Sequence, residues 1–370
     1  MRYMDEVNAP SVQAKATAQP EQSEGESDSE SDREESEQPL VAPKLVLSKV
    51  IRTDTYPTAS YYVILKPDGD LVLGVHDSAI IDRISSDCII ENTELIYNSS
   101  LVALDTNINI STLATAVNLA VDHSVPVWVE PTSTHKTNRI IESGKLAQLF
   151  GITPNFKELI MLSNELQNLK AKSKNQELGD KIRLRDTSTF DLDSILQQCL
   201  ELSPALIEQV PNMLVKLGSH GVLLVQRLAP NAPKGDAVSE LKATRFPRRY
   251  VPHPAQTPYR VRAVHYAAFP TAEESWNWGS EGVGGFATET ERTGAPHIIN
   301  VSGAGDCFVG GLIHGIVREW PIDLAIKCGL RAANLSVQSL LSVPKFITEK
   351  EMNAEEIAKW GGKLKVTQIL

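Results

Sequence analysis

The chain has 370 residues, 42% of them hydrophobic, and a formal net charge of −10; that length admits two ordinary domains or one large one, and that composition excludes a wholly disordered chain. No run approaches the ~20 apolar residues that cross a bilayer, and the first twenty residues lack the apolar stretch of a secretory leader, so an intracellular, cytoplasmic protein is expected. Nine acidic residues between 21 and 37, set against Arg33, carry most of the negative charge and leave a nearly neutral body that offers nothing electrostatic to nucleic acid or to an anionic membrane. The four cysteines, Cys88, Cys199, Cys307 and Cys328, show no metal-ligand spacing and are expected to be reduced thiols.

In chain order, residues 1–43 are a Ser/Glu-rich acidic tail too poor in apolar groups to offset ordering entropy, and disorder is expected there. Residues 44–370 read as one domain. Within residues 44–85, Tyr61, Val63 and Leu65 alternate with Tyr62 and Ile64; Pro67-Asp68-Gly69-Asp70 then supplies turn chemistry before Leu71–Val75, which predicts a β-hairpin. Short apolar runs and helical periods follow. Leu101–Leu104 reads as a strand, Leu113, Val117 and Val121 as a helix face, and Val125–Val129 as a buried strand. Met213–Leu217 and Val222–Val225 read as two strands around a glycine turn. Strand-helix alternation of this kind predicts an α/β fold, a mostly parallel sheet covered on both faces by helices in three layers. Residues 229–297, with several prolines and Gly282-Val283-Gly284-Gly285, are expected to be an insertion or long loops.

The sharpest chemical signal is Asn300-Val301-Ser302-Gly303-Ala304-Gly305-Asp306-Cys307-Phe308, followed by Leu312 and Ile316 at helical spacing. Small residues let a backbone approach a ligand, and unbonded N–H groups at a helix start, aided by its dipole, bind phosphate charge. Gly303, Ala304 and Gly305 are therefore a candidate anion hole. Asp306, in the first turn, is placed to accept the proton of an alcohol that attacks a phosphoryl group.

This segment resembles the C-terminal signature D-T-x-G-A-G-D-x-F of the ribokinase/PfkB family of sugar and nucleoside kinases, with Asn300 where the family usually has Asp. The resemblance implies that Asp306 is the catalytic base, that ATP and Mg²⁺ are used, and that activation by a monovalent cation is in doubt because of Asn300. Thr153-Pro154-Asn155-Phe156-Lys157-Glu158 matches the family's T-x-N-x-x-E element, which implies that Asn155 and Glu158 organise magnesium and its waters around the nucleotide; a lone N-x-x-E also fits an ordinary capped helix start. Val215–Val222 resembles the strand-turn-strand at the nucleotide, implying roles for Lys216, Gly218 and Gly221, and Ala325–Leu341 resembles the late helix beside the adenine, implying contact from Cys328. Val125–Ser133 followed by Lys136 resembles the E-P-x-S-x-x-K segment of the pseudouridine kinase branch. It implies that Glu130 and Lys136, with Asp105, Asn107 and Thr58, face the nucleoside, and that the hairpin belongs to a β-sheet lid.

The resemblance runs from about Thr53 to about Ser342. No Gly-Gly pair occurs in the first 150 residues, so the family's N-terminal strands and sugar-binding G-G-x-x-x-N element are expected to be missing. The expected activity is phosphorylation of the 5′-hydroxyl of pseudouridine. The alternatives are a kinase for another nucleoside or sugar, a nucleotide-binding remnant, or a fragment of a larger pseudouridine kinase and glycosidase. A homodimer, or a partner that supplies the N-terminal half, belongs to the same expectation.

Overall fold

The computed structural model describes residues 50–65, 71–173, 191–232, 235–253, 258–268 and 298–370. The expected acidic tail and the Gly282–Gly285 stretch lie outside the described residues. Residues 1–53 and 54–370 separate into two units, and all elements below belong to the second.

Ser60–Leu65 (β1) and Leu71–Asp77 (β2) form the predicted antiparallel hairpin, with Tyr61 opposite His76 and Tyr62 opposite Val75. Two short helices follow, Ser86–Ile90 (α1) and Thr93–Tyr97 (α2). The chain then alternates: Val102–Asp105 (β3), Ile110–Asp122 (α3), Val127–Glu130 (β4), Arg139–Glu142 (α4), Gly151–Ile152 (β5), Phe156–Ser173 (α5), Leu192–Ile207 (α6) and Asn212–Lys216 (β6). Several helix starts are capped by side chains, which satisfy first-turn amides. Asn109 accepts from Thr112 N at 2.9 Å, and Asp191 accepts from Ser194 N at 2.8 Å. The remainder is Val222–Leu228 (β7), Ala237–Ala243 (α7), Arg260–Tyr266 (β8), Ala304–Val317 (α8), Ile322–Ser336 (α9), Ala354–Gly361 (α10) and Val366–Gln368 (β9).

Strands β3 to β9 form one seven-stranded sheet in sequential order. Pairing is parallel from β3 to β6 and antiparallel from β6 to β9, so the sheet is mixed where the sequence predicts a mostly parallel one. The change of direction comes at the Gly218–Gly221 turn, which is too short for the crossover a parallel pair needs.

Alternation along the strands sorts side chains into two cores. Val127, Val129, Met213, Val215, Leu223 and Val225 pack with α3, α5 and α6. Trp128, Leu214, Val222 and Leu224 pack on the other face with α7, α8 and α9. This is the period of two expected when both faces of a sheet are covered, and it yields three layers.

Within the described part of 229–297, the expectation of an insertion or long loops is corrected at α7 and at β8, a full sheet strand between β7 and β9; residues 269–297 lie outside the described residues. Its polar composition hid it. Arg262 is buried, donating to Gln226 Oε1 at 2.6 Å and to Glu240 Oε2 at 2.9 Å, while Gln226 donates to Asn212 Oδ1 at 2.7 Å and Asn212 to Phe150 O at 2.9 Å. A buried charge is tolerated in a sheet only when its hydrogen bonds are met in this way.

Candidate active site

The carboxyl ends of β3, β4, β5 and β6 finish on one edge of the sheet, at Asp105, Glu130, Ile152 and Lys216, the edge where open α/β sheets receive ligands. The first turn of α8 meets this edge. Its N-cap, Gly303, has φ +83°, a left-handed conformation that favours glycine. Asn300 is buried and braces the approach: its Oδ1 accepts from Ser302 N at 2.9 Å, and its Nδ2 donates to Leu340 O at 3.3 Å. The second bond needs an amide donor, so the Asn that departs from the family pattern has a structural use an ionised Asp could not serve. Ala304 N turns back to Val301 O at 3.3 Å. The amides of Gly305 and Asp306 come next in the turn, where no carbonyl lies one turn back to receive them. Asp306 is exposed as the third residue of the helix.

Asn155 and Glu158 cap one another. Asn155 N donates to Glu158 Oε2 at 2.8 Å, and Glu158 N donates to Asn155 Oδ1 at 2.9 Å, a reciprocal box at the start of α5. Glu158 is nevertheless buried, and its carboxyl is raised above the usual range by desolvation; Lys216 opposes the shift and Asp306 adds to it. Glu158, Lys216 and Asp306 therefore share one field.

Lys216 Nζ contacts Glu130 Oε1 in a nearly buried ion pair. Glu130 Oε2 accepts from Thr153 Oγ1 at 2.6 Å, and Trp128 Nε1 donates to the same hydroxyl at 3.4 Å. Burial pushes the Glu130 carboxyl up to about 7 against the pull of Lys216 and Thr153. On its other side, Lys216 Nζ lies 3.3 Å from where a Cβ on Gly305 would stand. The ammonium thus sits at the mouth of the α8 turn.

Three residues expected at the acceptor meet in one chain of hydrogen bonds. Lys136 Nζ donates to Asn107 Oδ1 at 2.8 Å, and Asn107 Nδ2 donates to Asp105 Oδ2 at 2.7 Å. The loop beneath them is held by Arg139, whose Nη1 reaches the carbonyls of Thr106, Asn107 and Ile108 at 3.2, 2.7 and 3.0 Å. Thr58 is exposed just ahead of β1. Glu130, expected at the nucleoside, is instead engaged with Lys216 and Thr153. Gly218 and Gly221 take φ +59° and +91° in the turn after β6, a backbone requirement that holds whatever else they do.

Cys328 is a correction. It is fully buried between α8 and α9, so its side chain packs helices together and does not reach a nucleotide. Sequence reasoning also missed Thr153 as the donor that orients Glu130, although it stands in the T-x-N-x-x-E element, and it missed Arg139, for which no sequence signal exists.

Among the described residues no three His, Cys, Asp or Glu side chains group to hold a metal ion. This donor set fits magnesium only in the manner usual for nucleotide enzymes, one or two carboxylates with waters and phosphates completing the shell; Glu158, with Asn155 beside it, is the candidate.

Residues 279–345 match the model of the pfkB family carbohydrate kinases. The chain is 23% identical over 317 residues to a pseudouridine kinase of Arabidopsis thaliana, covering 81% of this chain and 73% of that protein. It is 26% identical over 310 residues to a pseudouridine-metabolizing bifunctional protein of Schizosaccharomyces pombe, covering 80% of this chain but only 35% of that protein. Among solved structures, the ribokinase of Arabidopsis thaliana complexed with ribose and ATP aligns at 18% identity and a TM-score of 0.45, over 82% of this chain and 69% of that one.

Proposed function

We propose that this chain is a carbohydrate kinase of the pfkB family, whose model its residues 279–345 match, and that it transfers the γ-phosphoryl group of ATP to the 5′-hydroxyl of pseudouridine. The observation that carries the reading is the entry to α8, where a left-handed glycine opens a helix whose first-turn amides stand beside an exposed Asp306 and the Lys216 ammonium. Phosphoryl transfer needs little covalent chemistry from a protein and much positioning and charge stabilisation. This arrangement supplies both.

In this reading Asp306 takes the proton of the attacking hydroxyl from its exposed position in the first turn of α8. The Gly305 and Asp306 amides and Lys216 meet the phosphoryl oxygens as charge builds on them. Magnesium, when bound, neutralises part of the nucleotide charge; Glu158 would hold it through water, with Asn155 keeping that carboxylate in place. The linked Asp105, Asn107 and Lys136 receive the hydroxyls and amides of the acceptor, and the names of the two relatives favour pseudouridine among nucleosides. Residues 44–370 act as the kinase domain, with the β1–β2 hairpin as the lid that excludes water during transfer.

The test is incubation of the purified chain with Mg-ATP and pseudouridine, uridine, adenosine or ribose, reading 5′-phosphate by mass spectrometry. Product from pseudouridine that falls by several orders of magnitude in Asp306→Asn, with nucleotide affinity kept, is the expected result. A folded chain that binds ATP and phosphorylates none of the four is a nucleotide-binding protein and not this kinase.

A further inference from the structure

Glu130 closes β4 at the edge where the acceptor chain begins, yet its carboxylate is turned to Lys216 on β6, 86 residues away in sequence. We propose that Glu130 is a positioning residue: it fixes the Lys216 ammonium against Gly305, so that the phosphate end of the nucleotide meets a preplaced cation, and it does not contact the acceptor. The proposal rests on the kinase reading above and goes beyond it in assigning Glu130 to the nucleotide half of the site.

A free lysine is a poor fixed charge, because its flexible four-carbon stem samples many rotamers. Here the head group has one anchor that is itself anchored. Thr153 Oγ1 holds the second carboxylate oxygen at 2.6 Å, and that hydroxyl accepts from the Trp128 indole, which is buried in the sheet core. The side chains of Lys216 and Glu130 are only 14% and 10% exposed, so water competes weakly for either.

Lys216 faces the α8 turn that carries Asp306, and Glu158 stands in the first turn of α5 at the same sheet edge. A lysine released from Glu130 would lean toward those two acids, neutralising the proposed base and the group proposed to hold magnesium. Pinned to Glu130, it faces Gly305 and leaves Asp306 unpaired. Burial and the neighbouring Glu158 disfavour charge on Glu130, and Lys216 is the largest influence opposing them. The pair is nearly buried and its second carboxylate oxygen is held by Thr153, as expected of a pair that specifies geometry more than stability.

The test is a double-mutant cycle on the full chain, with Mg-ADP affinity read by calorimetry and the KM for pseudouridine read separately. Glu130→Gln and Lys216→Met should each weaken Mg-ADP by roughly 10- to 100-fold, the range for one charged hydrogen bond. The double variant should be no weaker than the worse single, and the pseudouridine KM should move less than about twofold. Glu130→Asp, which keeps the charge but shortens the reach, should fall between wild type and Glu130→Gln; should Glu130→Gln fail to fold, Glu130→Asp with Lys216→Met completes the same comparison. A pseudouridine KM that rises tenfold with Mg-ADP affinity intact, or single effects that multiply in the double variant, overturns the assignment while the kinase reading stands. A wild-type chain that binds no Mg-ADP overturns both.

Discussion

The main-chain oxygen of Cys328 lies 2.7 Å from where a Cβ on Gly311 would stand, and the Phe308 oxygen lies 2.7 Å from the same point on Gly329. α8 and α9 therefore cross backbone to backbone, each offering a glycine to the other. Gly311→Ala is expected to force the helices apart and cost about 1–3 kcal/mol, the usual range for overpacking a tight core. Because α8 carries the turn proposed to meet the phosphoryl group, turnover should fall as well. Thermal melting and steady-state kinetics on the one variant check both.

Lys136 gives a cleaner separation of binding functions. Its ammonium bonds Asn107 at 2.8 Å and stands apart from the Lys216 centre in the hydrogen-bond pattern. Lys136→Met should raise the KM for the acceptor about 10- to 100-fold, as loss of a charged hydrogen bond does, and leave Mg-ADP affinity within twofold. Calorimetry with Mg-ADP beside acceptor titrations would show the split.

The pH dependence of stability follows from Glu130. Its folded carboxyl is raised from 4.5 to about 7, so folding binds a proton there, and the stability tied to it is present below about pH 4.5 and lost as pH rises to about 7. Buried His265 and half-buried His314 are depressed and act in the opposite sense, which a difference measurement removes. Between pH 4.5 and 7.5 the wild type should lose up to about 3 kcal/mol relative to Glu130→Gln, read from urea unfolding of both proteins at each pH.

Thiol chemistry tests the core assignments. Cys199 and Cys328 are buried, with thiols pushed up to about 12 by desolvation; Cys307 is buried and raised, and Cys88 alone of the four is partly accessible. Since the thiolate is the nucleophile, a disulfide reagent at pH 8 should titrate one group quickly, that of Cys88, and the other three only after unfolding. A second fast thiol would mean that a core opens in the native state, at α6 if the thiol is Cys199 and at the α8–α9 interface if it is Cys307 or Cys328.

What could be read from sequence was what is local. The hairpin, the capping box at Asn155 and Glu158, and the glycine entry to α8 each lie within a few residues, where turn chemistry and periodicity act directly. The contacts that organise the site are long-range: Glu130 reaches Lys216 across 86 residues, and Arg139 reaches Asn107 across 32. Periodicity also could not say which face of α9 Cys328 occupies, and a resemblance placed it at the nucleotide when packing places it against α8. β8 escaped notice for the opposite reason. Its Arg262 and His265 are buried only because Gln226, Glu240 and the His220 carbonyl meet them, partners that sequence spacing does not bring together.

Arg139 has a last implication. One guanidinium nitrogen gathers three consecutive carbonyls, of Thr106, Asn107 and Ile108, so under the proposed function the segment that would present Asn107 to the acceptor is braced in advance. Recognition by such a loop resembles a key entering a cut lock more than a hand closing on an object: little ordering remains to weaken binding, and a nucleoside whose donors and acceptors stand elsewhere finds no slack with which to adjust. On this account discrimination between nucleosides that differ only in the arrangement of their ring amides resides in the stiffness of this loop as much as in the side chains upon it.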